Sequence, residues 1–141
     1  MDDKSRLAIP ASYRQALERA DERRLVFVRN ITAASITAWP LRDWEVYEDK
    51  LLALPSSDPT VQMVLRFQVS ASFEVEPDSH GRVVLPAALR AHAGIQPSSE
   101  VVISSQINRF EIWNKDSWAE IQTQLAATTN EWGPRLAALG L

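Results

Sequence analysis

Two arginines in this chain each stand four residues after an aspartate, in segments that resemble each other. The segments are Asp2-Asp3-Lys4-Ser5-Arg6 and Asp78-Ser79-His80-Gly81-Arg82. A guanidinium near the apex of a tight turn can contact a DNA phosphate, or bind a guanine through two parallel hydrogen bonds. The alternative is structural, with Asp capping the turn and Arg pairing with a nearby carboxylate. We favour the structural role for Asp and leave both roles open for Arg.

The two turns belong to a longer internal repeat. Residues 2–14 align with residues 78–90 at a constant offset of 76, with Asp, Arg, Pro, Ala and Arg in register. A second block, Ile36–Trp44, aligns with Phe110–Trp118 at an offset of 74. Chance seldom reproduces two separated blocks in the same order, so the chain consists of two copies of one module.

The charged side chains beside the turn apices are the candidate DNA contacts. They are Lys4, Arg6, His80 and Arg82. Proline, Asp, Ser and Gly favour tight turns for separate backbone reasons, and we assign the shaping of the two turns to Asp2, Ser5, Asp78 and Gly81. Arg14 and Arg90 fall inside predicted helices. They are additional candidate DNA contacts, equally compatible with a solvated or ion-paired role.

The elements that must position these turns are clearest in the second repeat. Phe73–Glu76 alternates apolar and polar residues, which is typical of a half-buried strand. Strands are also predicted at Arg82–Leu85, Val101–Ile103 and Phe110–Trp113. A short helix starts at Pro86 and ends at Gly94, because proline is tolerated in the first helical turn and glycine at the C-terminal cap.

Longer helices follow each repeat. Apolar residues spaced by three or four predict helices between Pro40 and Pro55 and after Asp116-Ser117. Asp58-Pro59 is an N-cap pair that opens a linker helix up to Val69. We therefore divide the chain into a first repeat at 1–55, a linker helix at 56–72, a second repeat at 73–129 and a tail at 130–141.

One repeat has too few strands to form a stable core alone. Two in tandem can bury their apolar faces against each other. We therefore expect an α+β fold, mainly β, in which the two modules form one closed, pseudo-twofold β structure with peripheral helices.

The turn motif Asp-x-x-(Gly/Ser)-Arg-φ-x-φ-Pro, where φ is apolar, occurs twice and resembles the AbrB-type swapped-hairpin module. The tandem arrangement resembles the MraZ family. Further matching segments are Trp39-Pro40-Leu41 leading into Trp44, Asp58-Pro59, His92-Ala93-Gly94 and Asn108-Arg109-Phe110-Glu111-Ile112-Trp113. The resemblance covers nearly the whole chain.

The resemblance implies tandem AbrB-like modules of the double-psi or β-barrel type. It also implies a bacterial transcriptional regulator, repressing its own cell-division and cell-wall operon. Family members bind short direct repeats of double-stranded DNA and assemble into homo-oligomeric rings. Such a protein is expected in the cytoplasm, associated with the nucleoid.

Two features depart from the family pattern. Ser5 replaces the turn glycine that Gly81 retains, so the first turn must adopt a conformation that Ser tolerates or accept strain. The strand that precedes the second turn has no counterpart before Asp2. We expect that Leu7-Ala8-Ile9 lacks one partner strand and exposes an edge, and that assembly is weakened as a result.

Composition excludes several other classes of protein. A net charge of −3 argues against a general polyanion binder. The chain has no cysteine, which suits a reducing compartment, and no signal peptide or apolar run long enough for a membrane. Neither a metal-ligand cluster, a glycine-rich phosphate loop nor a nucleophile motif is present. We therefore expect no enzyme activity, no cofactor, no metal and no small-molecule substrate.

The main alternative is an AbrB-fold antitoxin or another protein-interaction module. In the tail, Trp132, Leu136, Leu139 and Leu141 favour an oligomer contact or a packed helix over a toxin-binding segment. Few basic residues are available per chain, so tight DNA binding needs several protomers. The Val61–Val69 helix and the tail are the candidate contacts between protomers. Trp39, Trp44, Trp113 and Trp118 occupy equivalent positions, which favours packing over ligand stacking.

Overall fold

The computed structural model describes residues 1–141, which form an α+β fold of two antiparallel sheets and six helices. The strands are β1 (Arg6–Ala8), β2 (Leu25–Arg29), β3 (Ile36–Pro40), β4 (Phe73–Val75), β5 (Arg82–Val84), β6 (Val101–Gln106) and β7 (Arg109–Asn114). The helices are α1 (Ala11–Arg19), α2 (Leu41–Leu52), α3 (Pro59–Val64), α4 (Ala87–Ala93), α5 (Lys115–Ala126) and α6 (Thr129–Ala138). None of them is both long and apolar enough to cross a bilayer.

The strands do not close into the single β structure expected from the sequence. β1 and β5 form a two-stranded ribbon, and the other strands form a five-stranded sheet in the order β4-β2-β3-β7-β6. Both sheets mix the repeats, because β1, β2 and β3 come from the first and the remaining strands from the second. Every pairing is antiparallel.

The expectation that Leu7-Ala8-Ile9 would lack one partner strand is wrong, because β1 and β5 each have one partner and the strand before a turn is not part of the ribbon. Leu7 pairs with Val83 across the ribbon, and the N–H of Ile9 donates to the Gly81 carbonyl at 2.8 Å. In the second repeat, the strand that precedes the turn is β4, and it pairs with β2 of the first repeat rather than with β5. The strand that precedes the second turn therefore belongs to the five-stranded sheet and not to the ribbon.

One core joins the two repeats. It contains fifteen buried residues, namely Leu7, Ile9, Tyr13, Leu17, Leu25, Phe27, Ile36, Ala38, Val83, Leu85, Leu89, Ala93, Ile95, Phe110 and Ile112. Leu25 and Phe27 point into this core, while Val26 and Val28 point to the opposite face of the sheet, as the period of two in a strand requires. There they pack against α2 through Leu41 and Trp44. The main core is therefore shared, and only this smaller cluster on the opposite face of the sheet belongs to the first repeat alone.

The predicted tryptophan packing is observed in both repeats. The rings of Trp39 and Trp44 meet edge to face at 6.1 Å between centroids, and those of Trp113 and Trp118 at 5.6 Å. Edge-to-face contacts at this separation are favourable for aromatic pairs. The equivalent tryptophans therefore pack α2 against β3 and α5 against β7.

The predicted linker helix is present, with Asp58 accepting from the Thr60 N–H at 2.8 Å as its N-cap. Its second half, Leu65–Val69, is π-helical, which the apolar spacing did not indicate. The wider turn brings Gln68 into a buried position, where its amide donates to the Arg29 carbonyl at 2.9 Å. The linker is thus bonded to β2 rather than free.

Candidate nucleic-acid interface

Turn one, Asp2–Arg6, is built around the carboxylate of its first residue. Oδ1 of Asp2 accepts from the N–H of Lys4 at 3.0 Å and from the N–H of Arg6 at 2.8 Å. Oδ2 accepts from Nε of Arg6 at 2.7 Å. The N–H of Ser5 donates to the Asp2 carbonyl at 3.2 Å, which closes the turn. A single carboxylate therefore fixes both the backbone of the turn and the side chain of its arginine.

Turn two, Asp78–Arg82, repeats these bonds one for one. Oδ1 of Asp78 accepts from the N–H groups of His80 and Arg82 at 2.8 and 2.9 Å, and Oδ2 accepts from Nε of Arg82 at 3.0 Å. The N–H of Gly81 donates to the Asp78 carbonyl at 2.9 Å. The two turns are thus equivalent down to their hydrogen bonds, although they share only Asp and Arg in sequence.

These bonds favour the ionised form of both carboxyls. The backbone N–H of Arg6 is the main cause that holds the pKa of Asp2 below its ordinary value; desolvation opposes it, and the guanidinium of Arg6 lowers the pKa further. The backbone N–H groups and guanidinium of turn two lower the pKa of Asp78 in the same way. Each arginine is bound through Nε, and Nη1 and Nη2 have no protein acceptor. The end of the guanidinium fork that can bind a base or a phosphate remains available.

The ribbon places the two arginines on one surface. Arg6 lies opposite Val84 and Ala8 lies opposite Arg82, with the buried pair of Leu7 and Val83 between them. Side chains alternate between the faces of a strand, so Arg6, Ala8, Arg82 and Val84 share the face that points away from the core. We call these four residues the outer face. Arg6 and Arg82 are diagonal neighbours there, each about one-third exposed.

The two arginines were predicted as candidate contacts from the sequence, whereas Ala8 and Val84 were not. The outer face exposes both of these apolar residues, and Val84 has 57% of its surface accessible. The alternation of exposed and buried residues along Arg82-Val83-Val84 is the signal that would have indicated them. This alternation identifies the exposed residues only when it is known which face of the strand points to the core.

Both turns use left-handed backbone at equivalent positions. Gly81 has φ of 72°, and Ser5, which replaces the glycine, has φ of 60°. Ser5 therefore accepts the strained conformation rather than avoiding it. Lys4 and His80, the residues before these positions, are exposed at the apices.

Of the two helix arginines expected as additional DNA contacts, Arg14 lies against a turn and Arg90 is bonded within its own repeat. A β-carbon on Gly81 would lie 2.6 Å from Cδ of Arg14, so the α1 side chain of the first repeat lies directly against turn two. Arg90 on α4 donates from Nε to the Leu85 carbonyl at 3.1 Å, beside the strand that pairs with β1. The structure brings Arg14 to turn two and leaves Arg90 on its own repeat.

The outer face and turns contain no grouping typical of catalysis. Across the chain, no set of three or more His, Asp or Glu side chains lies close enough together to hold a metal ion. The most buried carboxylate, Glu22, accepts from the Arg24 N–H at 2.9 Å, and Glu111 accepts from the Trp113 indole at 2.8 Å. Both therefore have structural partners.

Comparison with known proteins agrees with the duplication. The family described as "MraZ protein, putative antitoxin-like" matches residues 1–67 and 69–133, one match for each repeat. A protein named "Transcriptional regulator MraZ" from Hydrogenovibrio crunogenus is 34% identical over 143 residues, covering all of this chain and 93% of the relative. Relatives of the same name from Idiomarina loihiensis and Shewanella oneidensis are 38% and 35% identical over 120 residues, covering 85% of this chain and 78% of each relative. With both repeats matched and the similarity extending across the turns, the ribbon and the shared core, this chain belongs to the MraZ family.

Proposed function

We propose that this protein is a sequence-specific DNA-binding transcriptional regulator. The observation that carries the proposal is the pair of equivalent turns, each holding an arginine by Nε with the Nη groups free, on one face of a two-stranded ribbon. A two-stranded antiparallel ribbon fits the major groove of B-DNA, where arginine binds guanine through O6 and N7. Relatives over most of the chain carry the name transcriptional regulator, which supports the same function.

In this proposal Arg6 and Arg82 contact base edges, and Lys4 and His80 contact the backbone or neighbouring bases. Asp2 and Asp78 hold the arginines, while Ser5 and Gly81 allow the turns to close. Arg14 supports turn two, and Arg14 and Arg90 are the additional phosphate contacts of the proposal. The ribbon, whose two strands come from different repeats, is proposed to be the element exchanged between AbrB-like swapped-hairpin modules, with the two modules bounded at 1–55 and 73–129.

The target we propose is a set of short direct repeats upstream of the protein's own cell-division and cell-wall operon, which it represses in the cytoplasm at the nucleoid. One chain has two contact turns and a net charge of −3. Counterion release from so few contacts supports only weak, salt-sensitive binding. Several protomers in a ring would add their contacts through effective concentration.

The surface we propose for assembly is α6. Trp132, Leu136 and Leu139 are spaced by four and three residues, which places them on one side of the helix, and they are 42%, 43% and 70% exposed. The same surface supports the second candidate function, a protein-interaction module of the antitoxin type. Trp132→Ala/Leu136→Ala should give a monomer that binds a single DNA repeat weakly if α6 joins protomers. If the oligomeric state of this variant equals that of the wild type, α6 does not join protomers and is the candidate surface for a different protein partner.

A gel-shift titration against the upstream region of the operon tests the function. The Arg6→Ala/Arg82→Ala protein should lose about 1–3 kcal/mol of binding free energy per arginine that contacts a base. The matched control is Arg19→Ala/Arg42→Ala, which removes the same charge from exposed positions on α1 and α2, outside the turns and the proposed assembly surface. Equal affinity of the two double variants would contradict the proposal.

A further inference from the structure

The exposed apolar residues of the outer face have no role in the function proposed so far. Val84 and Arg82 are two residues apart on the same strand, with the buried Val83 between them. Val84 has 57% of its surface accessible. Ala8 occupies the equivalent place in the first repeat, two residues after Arg6. On the outer face each cation therefore has an apolar side chain as its neighbour, both along its own strand and across the ribbon.

This pattern matches the chemistry of one groove of DNA. The major groove presents guanine O6 and N7 as acceptors and the 5-methyl group of thymine as an apolar surface. The minor groove offers no methyl group. A face made of guanidinium forks and aliphatic side chains, with the Asp2 and Asp78 carboxylates bound to the two arginines, is complementary to the first groove and not to the second.

The dimensions agree with this assignment. Paired strands lie about 4.8 Å apart, so a ribbon with its side chains fits a groove about 12 Å wide. Arg82 and Val84 are two residues apart on one strand, about 7 Å, which is close to two base-pair steps at about 3.4 Å each. A guanine contacted by Arg82 would therefore have a base within reach of Val84 nearby on the same site.

We infer that Val84 is a specificity-determining residue that contacts the 5-methyl group of a thymine next to the guanine bound by Arg82, with Ala8 making the smaller equivalent contact beside Arg6. The inference rests on the DNA-binding function proposed above. It names the class of site, in which guanine and thymine occur close together in both halves. The halves differ, because Ala8 reaches less far than Val84 and buries less of a methyl group.

The first experiment selects binding sites from random DNA with the intact protein and with Val84→Ala. The wild type should select sites with a thymine close to each guanine that depends on Arg82. Val84→Ala should keep the guanine and lose the preference for that thymine. Val46→Ala is the matched control, since it makes the same substitution at a 53% exposed valine on α2. It should select the wild-type site.

The second experiment replaces each thymine of the selected site by deoxyuridine, which lacks only the methyl group. At one thymine, wild type and Val46→Ala should bind about fourfold more weakly, the effect of one buried methyl group, while Val84→Ala should not respond. If deoxyuridine has no effect at any thymine, or if Val84→Ala responds as the wild type does, the inference is wrong while the proposed function stands. If the wild type selects no sequence at all, both are wrong.

Discussion

The side chain of Arg14 occupies the space in which a β-carbon on Gly81 would lie, with Cδ at 2.6 Å and Nη1 at 2.8 Å from that position. Arg14 belongs to a helix of the first repeat and Gly81 to the turn of the second. The second repeat therefore depends on the first for its candidate DNA-binding turn, in addition to the core that the two repeats share. Effects of substitutions in α1 should be sought in turn two.

Gly81→Ala should destabilise the fold and disturb turn two. Left-handed backbone costs a residue with a β-carbon about 1–2 kcal/mol, and the new methyl group must displace Arg14. In an Arg14→Ala background only the backbone cost remains, so the substitution should be less harmful there. Urea denaturation of the four proteins in this cycle measures the difference. Equal costs in both backgrounds would show that the contact is not a constraint.

Ser5→Gly should stabilise the protein by about 1 kcal/mol, because it relieves the left-handed conformation at φ of 60°. Ser12→Gly is the control, at an exposed position in α1 where glycine has the opposite effect and costs about 0.5–1 kcal/mol. Chemical denaturation measures the change in unfolding free energy of both variants, which should be positive for Ser5→Gly and negative for Ser12→Gly. A loss of stability in Ser5→Gly would mean that the serine side chain contributes more than its backbone costs.

Asp78→Asn should separate the shape of the turn from the positioning of Arg82. The Asn carbonyl can still accept from the two backbone N–H groups, but its amide nitrogen cannot accept from Nε of Arg82. We expect a folded protein whose affinity for its DNA site falls about tenfold, within the range for one base contact. Asp78→Ala should lose the turn as well.

The control for that variant is Glu100→Gln, which removes the same charge from the exposed pair of Glu100 and Lys115. Because the control does not touch either turn, its DNA affinity should equal that of the wild type or rise slightly. An Asp78→Asn protein that binds as tightly as the control would show that Arg82 needs no positioning.

The two turns should weaken in acid. Because the pKa values of Asp2 and Asp78 are lowered in the folded protein, their contribution to stability is complete above the ordinary carboxyl pKa of about 4. It is lost as the pH falls from there through the lower folded-state values. The stability difference between wild type and Asp2→Asn/Asp78→Asn should therefore shrink between pH 7 and pH 3. A difference that stays constant would show that these carboxyls are not perturbed.

Calorimetry of the intact chain should show one unfolding transition, since both repeats contribute to one core. Leu89→Ala, at a fully buried position, should lower the unfolding free energy by about 2–5 kcal/mol and move the whole transition. Leu52→Ala, at a 73% exposed position on α2, should change it by no more than about 0.5 kcal/mol. Two separate transitions would contradict the shared core.

Local features of the fold could be predicted from the sequence because they depend on neighbouring residues. The turn residues, the helices that begin after Pro10 and Pro86, the Asp58 cap and the tryptophan pairs are all of this kind. Pairing partners were not predictable. Alternation shows that a strand has two faces but not which strand lies beside it, so the pairing of β4 with β2 was missed.

The same limit applies to the candidate site. The repeated Asp and Arg were visible in the sequence, but their Nε bond and the free Nη groups depend on the folded turn. Val84 looked like an ordinary strand residue, since valine favours strands whether buried or exposed. Its exposure beside Arg82 follows only from the pairing of β1 with β5.

The joining of two repeats in one chain has a consequence for direction. Two identical chains forming such a ribbon would have identical halves and would bind a palindrome. Here the equivalent positions of the two repeats hold different residues, namely Lys4 and His80, Ser5 and Gly81, and Ala8 and Val84, so the ribbon has a polarity that a symmetric dimer lacks. Under the proposed function, such a protomer would bind a non-palindromic site in one orientation, and neighbouring protomers on head-to-tail sites would all point the same way along the duplex.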